Sequence, residues 1–294
     1  MNVLIYGLGL MGASLSLAIR QKNLPFGRID GVVRSVSSRD EGLKLKVADS
    51  IFLESEFKEK DLWNDYGLII YSLPVNLTCE KIAELPLSYR GIVTDLGSTK
   101  REIIEAVEKK YSSSHRYYSS HPMAGSEHSG LKYAQADLYE ARLCILTPPK
   151  RVEEGVEDFI RDFWEKIGMY TLKIEAEEHD KALAYISHSP HILSSIMTNW
   201  CWENPTVSEK TGLSPIPLTG GGFRDMSRIA GSNPEMWDAI IETNREPIRQ
   251  SLIDFRDRLN VLIGVLGSNS EVSGFWKKFF DKAKKSRDRI LKLE

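Results

Sequence analysis

An imidazole set among glycines is the first feature of this sequence that could do chemistry. The stretch His121-Pro-Met-Ala-Gly-Ser-Glu-His-Ser-Gly130 follows a strand-like run, Arg116–Ser120. A histidine titrates near neutrality and so can take up or return a proton. Pro122 biases His121 toward an extended backbone, and Gly125 and Gly130 let a ligand come close to the main chain. In open α/β sheets the carboxyl ends of the strands face the ligand crevice. A surface turn with a solvated histidine is the plain alternative, but three further stretches point to the same crevice.

The first of these is Asp95-Leu-Gly-Ser-Thr-Lys100, at the end of an apolar strand Gly91–Asp95 and ahead of a helix from Arg101 to Lys110. Ser98 and Thr99 stand where a helix N-cap belongs, a role that competes with a functional one for Ser98. The second is Ser187-His-Ser-Pro-His191, in which Pro190 falls inside a helical run and should kink it, turning His188 or His191 toward a cleft. A structural histidine is the other reading of His188. His179 and Asp180 lie nearby, yet nothing else supplies a matching ligand set, so no metal site is expected. The third is Gly220-Gly-Gly-Phe-Arg-Asp-Met-Ser-Arg228, a glycine turn entering a helix that carries Arg224, Asp225 and Arg228. Its plain reading is a local Asp225–Arg228 pair on a solvated face. Trp237 reads as a core residue.

These groups need a scaffold, and the first residues supply one. A short apolar strand, Asn2–Tyr6, runs into Gly7-Leu-Gly-Leu-Met-Gly12 and then a helix, Ala13–Lys22. This is G-x-G-x-x-G in the strand–turn–helix setting that gives it meaning: Gly7 for the tight turn, Gly9 for approach of a pyrophosphate, Gly12 for close helix packing. Leu10 and Met11 lie in the same turn, with the phosphates at the helix N-terminus. A second strand, Arg28–Arg34, should end in the acid that holds the ribose of NAD. It ends instead in Val33-Arg34-Ser35, with Asp30 too early, and a guanidinium with hydroxyls suits a 2′-phosphate. The expected cofactor is therefore NADP rather than NAD. A third apolar strand, Gly67–Pro74, ends in Ser72-Leu-Pro74, a further cofactor loop.

Strands at Arg116–Ser120, Leu143–Thr147 and Met169–Ile174, with a helix Arg151–Lys166, complete a doubly wound parallel sheet of Rossmann type. After Glu175 only helices are expected: Ala176–Glu203, a loop through Pro205–Gly222, then Phe223–Ala230, Pro234–Thr243, Glu246–Leu266 and Val272–Leu293. The division is thus a dinucleotide-binding domain, 1–174, and an all-helical substrate and dimerisation domain, 175–294. Leu252, Phe255, Leu259, Leu262, Ile263 and Leu266 form a broad apolar face at helical spacing.

Composition limits the function classes. A net charge of −2 and no basic block in the first half argue against a nucleic-acid partner. The basic run Lys277–Lys292, with Phe275, Trp276, Phe279 and Phe280, reads as a terminal helix with its aromatic side packed rather than as a membrane-surface helix. Cys79, Cys144 and Cys201 lack metal or disulfide spacing, and no apolar run reaches the roughly 18 residues of a membrane span. Reduced thiols in the cytoplasm are expected.

The motifs at Asp95–Lys100, His121–Gly130, Ser187–His191 and Gly221–Ala230, with Pro234 and Trp237 behind them, resemble the prephenate/arogenate dehydrogenases of tyrosine biosynthesis. The likeness runs in one order from the glycine fingerprint to beyond Trp237. It implies a Rossmann domain, a homodimer through the helical domain, and oxidative decarboxylation of prephenate to 4-hydroxyphenylpyruvate with NAD(P). It makes His121 the group that hydrogen-bonds the ring hydroxyl and accepts its proton, with Ser98 a second partner of that hydroxyl beside the nicotinamide. It makes Arg228 the holder of the ring carboxylate, and His191, Ser126 and Gly221 contacts of the pyruvyl side chain. His191 is, by the resemblance, more typical of prephenate users than of arogenate users. The position before Arg34 departs from the pattern, lacking the Asp of NAD-preferring members, and no regulatory or mutase domain is expected after the helical part. A β-hydroxyacid dehydrogenase or imine reductase would share the architecture but use Lys or Asp where this chain has His191. A dinucleotide-sensing module would not need Ser98, His121 and Arg228 together.

Overall fold

The computed structural model describes residues 1–125, 130–268 and 274–293. Its centre is a five-stranded parallel sheet in the order β3-β2-β1-β4-β5, formed by β1 (Val3–Tyr6), β2 (Ile29–Val33), β3 (Ser50–Leu53), β4 (Leu68–Tyr71) and β5 (Ile92–Asp95). All residues of β1, β4 and β5 are buried, as strands covered on both faces must be. Side chains alternate across the sheet. Val3, Ile5, Leu68 and Ile70 join one core with Ala13, Leu15 and Ile19 of α1 (Leu10–Gln21) and with Phe163 and Trp164 of α6 (Val156–Ile167). Leu4, Tyr6, Ile69 and Tyr71 join the other. There they meet Phe57 of α3 (Glu54–Glu59), Ile82 of α4 (Val75–Glu84), and Ile103 and Val107 of α5 (Arg101–Lys110). The second helix, α2 (Val36–Lys44), follows β2.

The Rossmann-type sheet expected from the sequence is present, with one difference beyond β5. Tyr117 makes a parallel bridge to Val93 of β5, and the chain then enters β6 (Ser119–Pro122), which pairs antiparallel with β7 (Leu143–Thr147); β8 (Tyr170–Lys173) runs parallel to β7. His121 therefore lies within a strand, opposite Ile145, rather than in the loop after one.

The remainder is helical, as expected: α7 (Ala176–Leu183), a π turn (Ala184–His188), α8 (Ser189–Glu203), α9 (Pro205–Leu213), α10 (Gly221–Ser227), α11 (Pro234–Thr243), α12 (Arg245–Gly267) and α13 (Phe275–Ile290). Pro190 does not break the run. The widened π turn ahead of it absorbs the missing donor, and Pro190 sits in the first turn of α8, where its lack of an N–H is harmless. The loop expected through Pro205–Gly222 is in part α9, because the Asn204 side chain caps it by accepting from Val207 N at 3.2 Å.

The chain forms two compact units, Met1–Ile248 and Arg249–Glu294. In the second, Phe275 stacks on Phe279 while the other ring contacts among Phe275, Trp276, Phe279 and Phe280 are edge-on; Phe275 and Trp276 are half-buried and Phe279 and Phe280 are exposed. Phe255, Leu259, Ile263 and Leu266 along α12 are exposed as well. Among the described residues no helix is long and apolar enough to cross a membrane.

Candidate active site

The glycine turn is shaped by contacts a side chain would destroy. Gly7 has φ +101°, and a Cβ there would overlap the carbonyl of Ser72; a Cβ on Gly12 would overlap the carbonyl of Gly7. Gly9 differs, since its Cβ would meet no protein atom within 4 Å, so nothing in the fold itself requires glycine there. Gly9 is the N-cap of α1, and its side-chain-free main chain leaves the free N–H groups of that helix approachable by an anion. Leu10 is buried, and Met11 is half-buried with its carbonyl accepting from Tyr139 Oη at 2.7 Å, so the turn is held from behind. Ser72, half-buried, and Pro74, exposed at the start of α4, border it. These residues fit a dinucleotide.

At the end of β2, Ser35 caps α2, its Oγ accepting from Ser38 N at 3.1 Å and lying 2.9 Å from Ser38 Oγ. Arg39 is engaged by Glu56 at 3.1 Å, whereas Arg34 is exposed and has no ion pair among the described residues. Asp30 is a structural residue: it is fully buried, accepts from Tyr66 Oη at 2.7 Å and Ser50 N at 3.0 Å, and pairs with Arg28.

The loop after β5 and the strand β6 are joined by one buried ammonium. Lys100 Nζ donates to Asp95 Oδ2 (2.5 Å), to Ser119 Oγ (3.1 Å) and to Ser120 O (2.7 Å), which uses all three of its protons. Asp95 Oδ1 accepts from Tyr117 Oη at 2.9 Å and Ser119 Oγ at 2.6 Å. Lys100 itself is the N-cap of α5, and the helix start is capped from elsewhere: Asp180 of α7 accepts from Lys100 N at 2.7 Å and Arg101 N at 2.9 Å. The N-cap expected of Ser98 and Thr99 is therefore not formed. Thr99 Oγ1 instead lies 2.8 Å from Thr243 Oγ1, and Ser98, half-buried, has no hydrogen bond among the described residues.

His121 is buried, and its Nδ1 lies 2.8 Å from Nε2 of His179. Burial, with His179, Lys100 and His188 nearby, holds its pKa well below the ordinary imidazole value, so it is a neutral ring at pH 7. His179 is fully buried and also lowered, burial outweighing the hydrogen bond from its Nδ1 to Asp180 Oδ1 at 2.8 Å. Asn244 Nδ2 reaches both the Asp180 carbonyl (2.7 Å) and Nδ1 of His188 (3.0 Å). His188 is pushed down to about 4, mainly by burial, and fits its structural reading. Neither sequence pattern nor spacing assigned a role to His179 and Asp180, which lie 58 and 59 positions beyond His121; their only signal was an adjacent His-Asp pair.

Contacts continue from His188 toward the third motif. The rings of His188 and Trp237 are 6.0 Å apart, and His191 lies against Trp237 at 4.0 Å with 31° between planes. Trp237 is thus a half-buried platform for His191 rather than a core residue, and its indole Nε1 is buried with no hydrogen-bond partner among the described residues. His191 Nδ1 donates to Ser187 O at 2.9 Å; burial lowers its pKa and the charge of Arg228 lowers it further. Arg228 is exposed, and among the described residues it forms no ion pair with Asp225. Gly221, exposed, opens α10. Ser126 lies outside the described residues. His121, His188, His191 and Arg228 thus belong to one run of neighbouring groups, with Ser98 beside the Lys100 that braces β6.

A glycine turn at a helix N-terminus, a parallel sheet and a neutral buried imidazole on the adjoining strand define a dinucleotide-dependent oxidoreductase. Family models described as the prephenate dehydrogenase nucleotide-binding domain and dimerization domain match residues 15–172 and 175–279. The chain belongs to the prephenate dehydrogenase family. It is 31% identical to a prephenate dehydrogenase of Lactococcus lactis over 98% of its length and 77% of that protein's. It is 32% identical to one from Bacillus subtilis over 84% of its length, an alignment that spans 65% of the Bacillus protein. Its fold matches the crystal structure of Aquifex aeolicus prephenate dehydrogenase in complex with hydroxyphenyl propionate and NAD+, with a TM-score of 0.84 and 28% identity over 100% of this chain and 98% of that one.

Proposed function

We propose that this protein oxidises and decarboxylates prephenate to 4-hydroxyphenylpyruvate, using a nicotinamide cofactor, in tyrosine biosynthesis. The observation that carries this reading is His121: a buried imidazole kept neutral, braced through Lys100 to the loop that holds Ser98. Gly7, Gly9, Leu10, Met11 and Gly12, bordered by Ser72 and Pro74, would hold the cofactor's pyrophosphate and nicotinamide ends. When bound, the nicotinamide accepts the hydride from the ring carbon that carries the hydroxyl.

His121 accepts the hydroxyl proton as that hydride leaves, and Ser98 hydrogen-bonds the same oxygen. The bond from the ring to its carboxylate then breaks. Its electron pair enters the ring, completing the aromatic system, and carbon dioxide departs without a metal or imine. Arg228 binds and orients that carboxylate beforehand through its two-pronged guanidinium. His191, held against Trp237, meets the pyruvyl side chain together with Gly221 and Ser126.

Arg34, which has no ion pair among the described residues, and the Ser35 and Ser38 hydroxyls support NADP as the preferred cofactor. His191 supports prephenate over arogenate. We assign dinucleotide binding to 1–174 and substrate binding and dimerisation to 175–294, the exposed apolar row of α12 supporting a homodimer. The three free thiols fit a reducing compartment, the cytoplasm. The test is to mix the protein with prephenate or arogenate and with NADP or NAD, following absorbance of the reduced nicotinamide. Turnover fastest with prephenate is expected, and no turnover with any pair would overturn the assignment.

A further inference from the structure

Three buried groups stand in line behind the reacting position: the carboxylate of Asp180, the ring of His179 and the ring of His121. Their hydrogen-bond roles can be worked out from the far end. Both carboxylate oxygens of Asp180 already accept main-chain N–H groups from the first turn of α5, so the group faces His179 as an acceptor. His179 must then donate from Nδ1. Being neutral, it carries no proton on Nε2. That nitrogen can only accept, so the proton shared with His121 belongs to Nδ1 of His121. The neutral His121 ring is left with its lone pair on Nε2, the nitrogen opposite the relay.

We propose that His179, anchored by Asp180, is a positioning residue that fixes the tautomer of His121 and stabilises the imidazolium formed when His121 accepts the substrate's proton. This rests on the dehydrogenase reading given above. In the step, the hydroxyl proton moves to His121 Nε2 and the O–H electron pair stays on oxygen to form the carbonyl as hydride departs. The Nδ1 proton remains donated to His179, so the positive charge is spread toward the Asp180 carboxylate. Lys100, with its counter-ion Asp95, faces the same ring from the start of α5, and His188 faces it from the π turn. The Lys100 ammonium disfavours the imidazolium, as charge on His188 or His179 would if those rings were protonated; with both rings held neutral, His179 acts as an acceptor and counters Lys100.

The test has two arms. Nitrogen-15 spectra of imidazole-labelled protein, taken without substrate at pH 7.5, should show both His121 and His179 protonated at Nδ1 and bare at Nε2. The His121 signals are assigned by loss in His121→Asn and the His179 signals by loss in His179→Gln. In the second arm, His179→Phe removes the acceptor, and kcat should fall about 100-fold or more with KM for substrate and cofactor little changed, because a misplaced proton disables a general base. The acid limb of its kcat/KM profile should also shift to lower pH. His179→Gln, whose amide oxygen can accept from His121 Nδ1, should recover most of the loss. A His121 signal protonated at Nε2, or a His179→Phe enzyme with unchanged kcat and pH profile, overturns the relay. If His179→Phe does not fold, the wild-type spectrum and the His179→Gln kinetics still decide. A wild-type protein inactive on prephenate removes the functional reading, while the spectra judge the relay independently.

Discussion

The ammonium of Lys100 and the carboxylate of Asp95 lie 2.5 Å apart with neither side chain exposed to solvent. Such a pair is expensive to break from one side, because the remaining charge is left buried and unpaired. Lys100→Met should therefore destabilise the protein by about 3–5 kcal/mol. The paired substitution Lys100→Met with Asp95→Asn should recover a large part of that loss. Urea unfolding at pH 7 measures both. Equal stability of the single variant and the wild type would mean that the ion pair does not hold the β5–β6 junction together.

Gly12 and Gly9 separate packing from cofactor binding within one turn. Gly12→Ala must push into the Gly7 carbonyl and should lower the unfolding midpoint. Gly9→Ala meets no protein atom and has a backbone at φ −85° that alanine accepts, so stability should stay within about 0.5 kcal/mol. Its KM for the nicotinamide cofactor should nevertheless rise at least severalfold, because the new methyl stands where the phosphates approach. Differential scanning calorimetry beside cofactor titration reads the two effects apart, and an unchanged KM in Gly9→Ala would remove the turn from the binding site.

What could be read from sequence divides along the same line, between local signals and tertiary ones. The spans Arg101–Lys110 and Pro234–Thr243 were legible to the residue, because Pro234 opens a helix and charged and apolar residues alternate at helical spacing. The glycine fingerprint was legible because its neighbours form a strand and a helix. The strand Ser50–Leu53 was not, being four residues long and followed at once by the acidic start of α3. The cap that starts α5 and the partner of His121 were also hidden. Both come from Asp180 and His179 on a helix far along the chain, and only folding brings them to His121.

The proposed roles of His121 and Arg228 make opposite kinetic predictions. His121→Asn keeps a polar side chain but no proton acceptor of comparable basicity, so kcat should fall by roughly 10²–10⁴-fold with substrate KM nearly unchanged. Arg228→Gln should chiefly raise KM, since the guanidinium binds a carboxylate in the ground state as well as later. Steady-state kinetics with prephenate distinguish them. Similar small effects on both constants from both variants would contradict the assignments.

Cofactor choice turns on the end of β2. Arg34 is exposed and, unlike Arg39, has no carboxylate partner among the described residues, so its charge is available to a 2′-phosphate. The wild type should show a lower KM for NADP than for NAD. In Arg34→Asp the order should reverse, because a carboxylate repels the phosphate and can accept from a ribose hydroxyl. A wild type that prefers NAD would defeat this reading of the strand end.

Histidine burial sets how stability responds to acid. His115, His121, His179, His188 and His191 all have lowered pKa values, burial being the largest cause in each. In the unfolded chain each titrates near 6.5. As pH falls below about 6.5 the unfolded state therefore takes up protons that the folded state refuses, and stability must drop. The lowered carboxyl groups Asp49, Glu54, Glu84 and Glu157 begin to contribute only near their unfolded values, below about pH 4.5. Glu102, raised by burial, acts in the opposite sense but is a single group. Between pH 6.5 and 5 the fall should thus belong to the histidines, at up to about 1.4 kcal/mol per pH unit for each fully buried ring. Urea midpoints across that range should decline steeply. His188→Gln keeps a polar partner for Asn244 but cannot titrate, so it should remove one ring's share of the slope. A midpoint that stays level from pH 7 to 5.5 would mean these rings are not held neutral in the folded protein, and with that the case for His121 as a ready proton acceptor would fail.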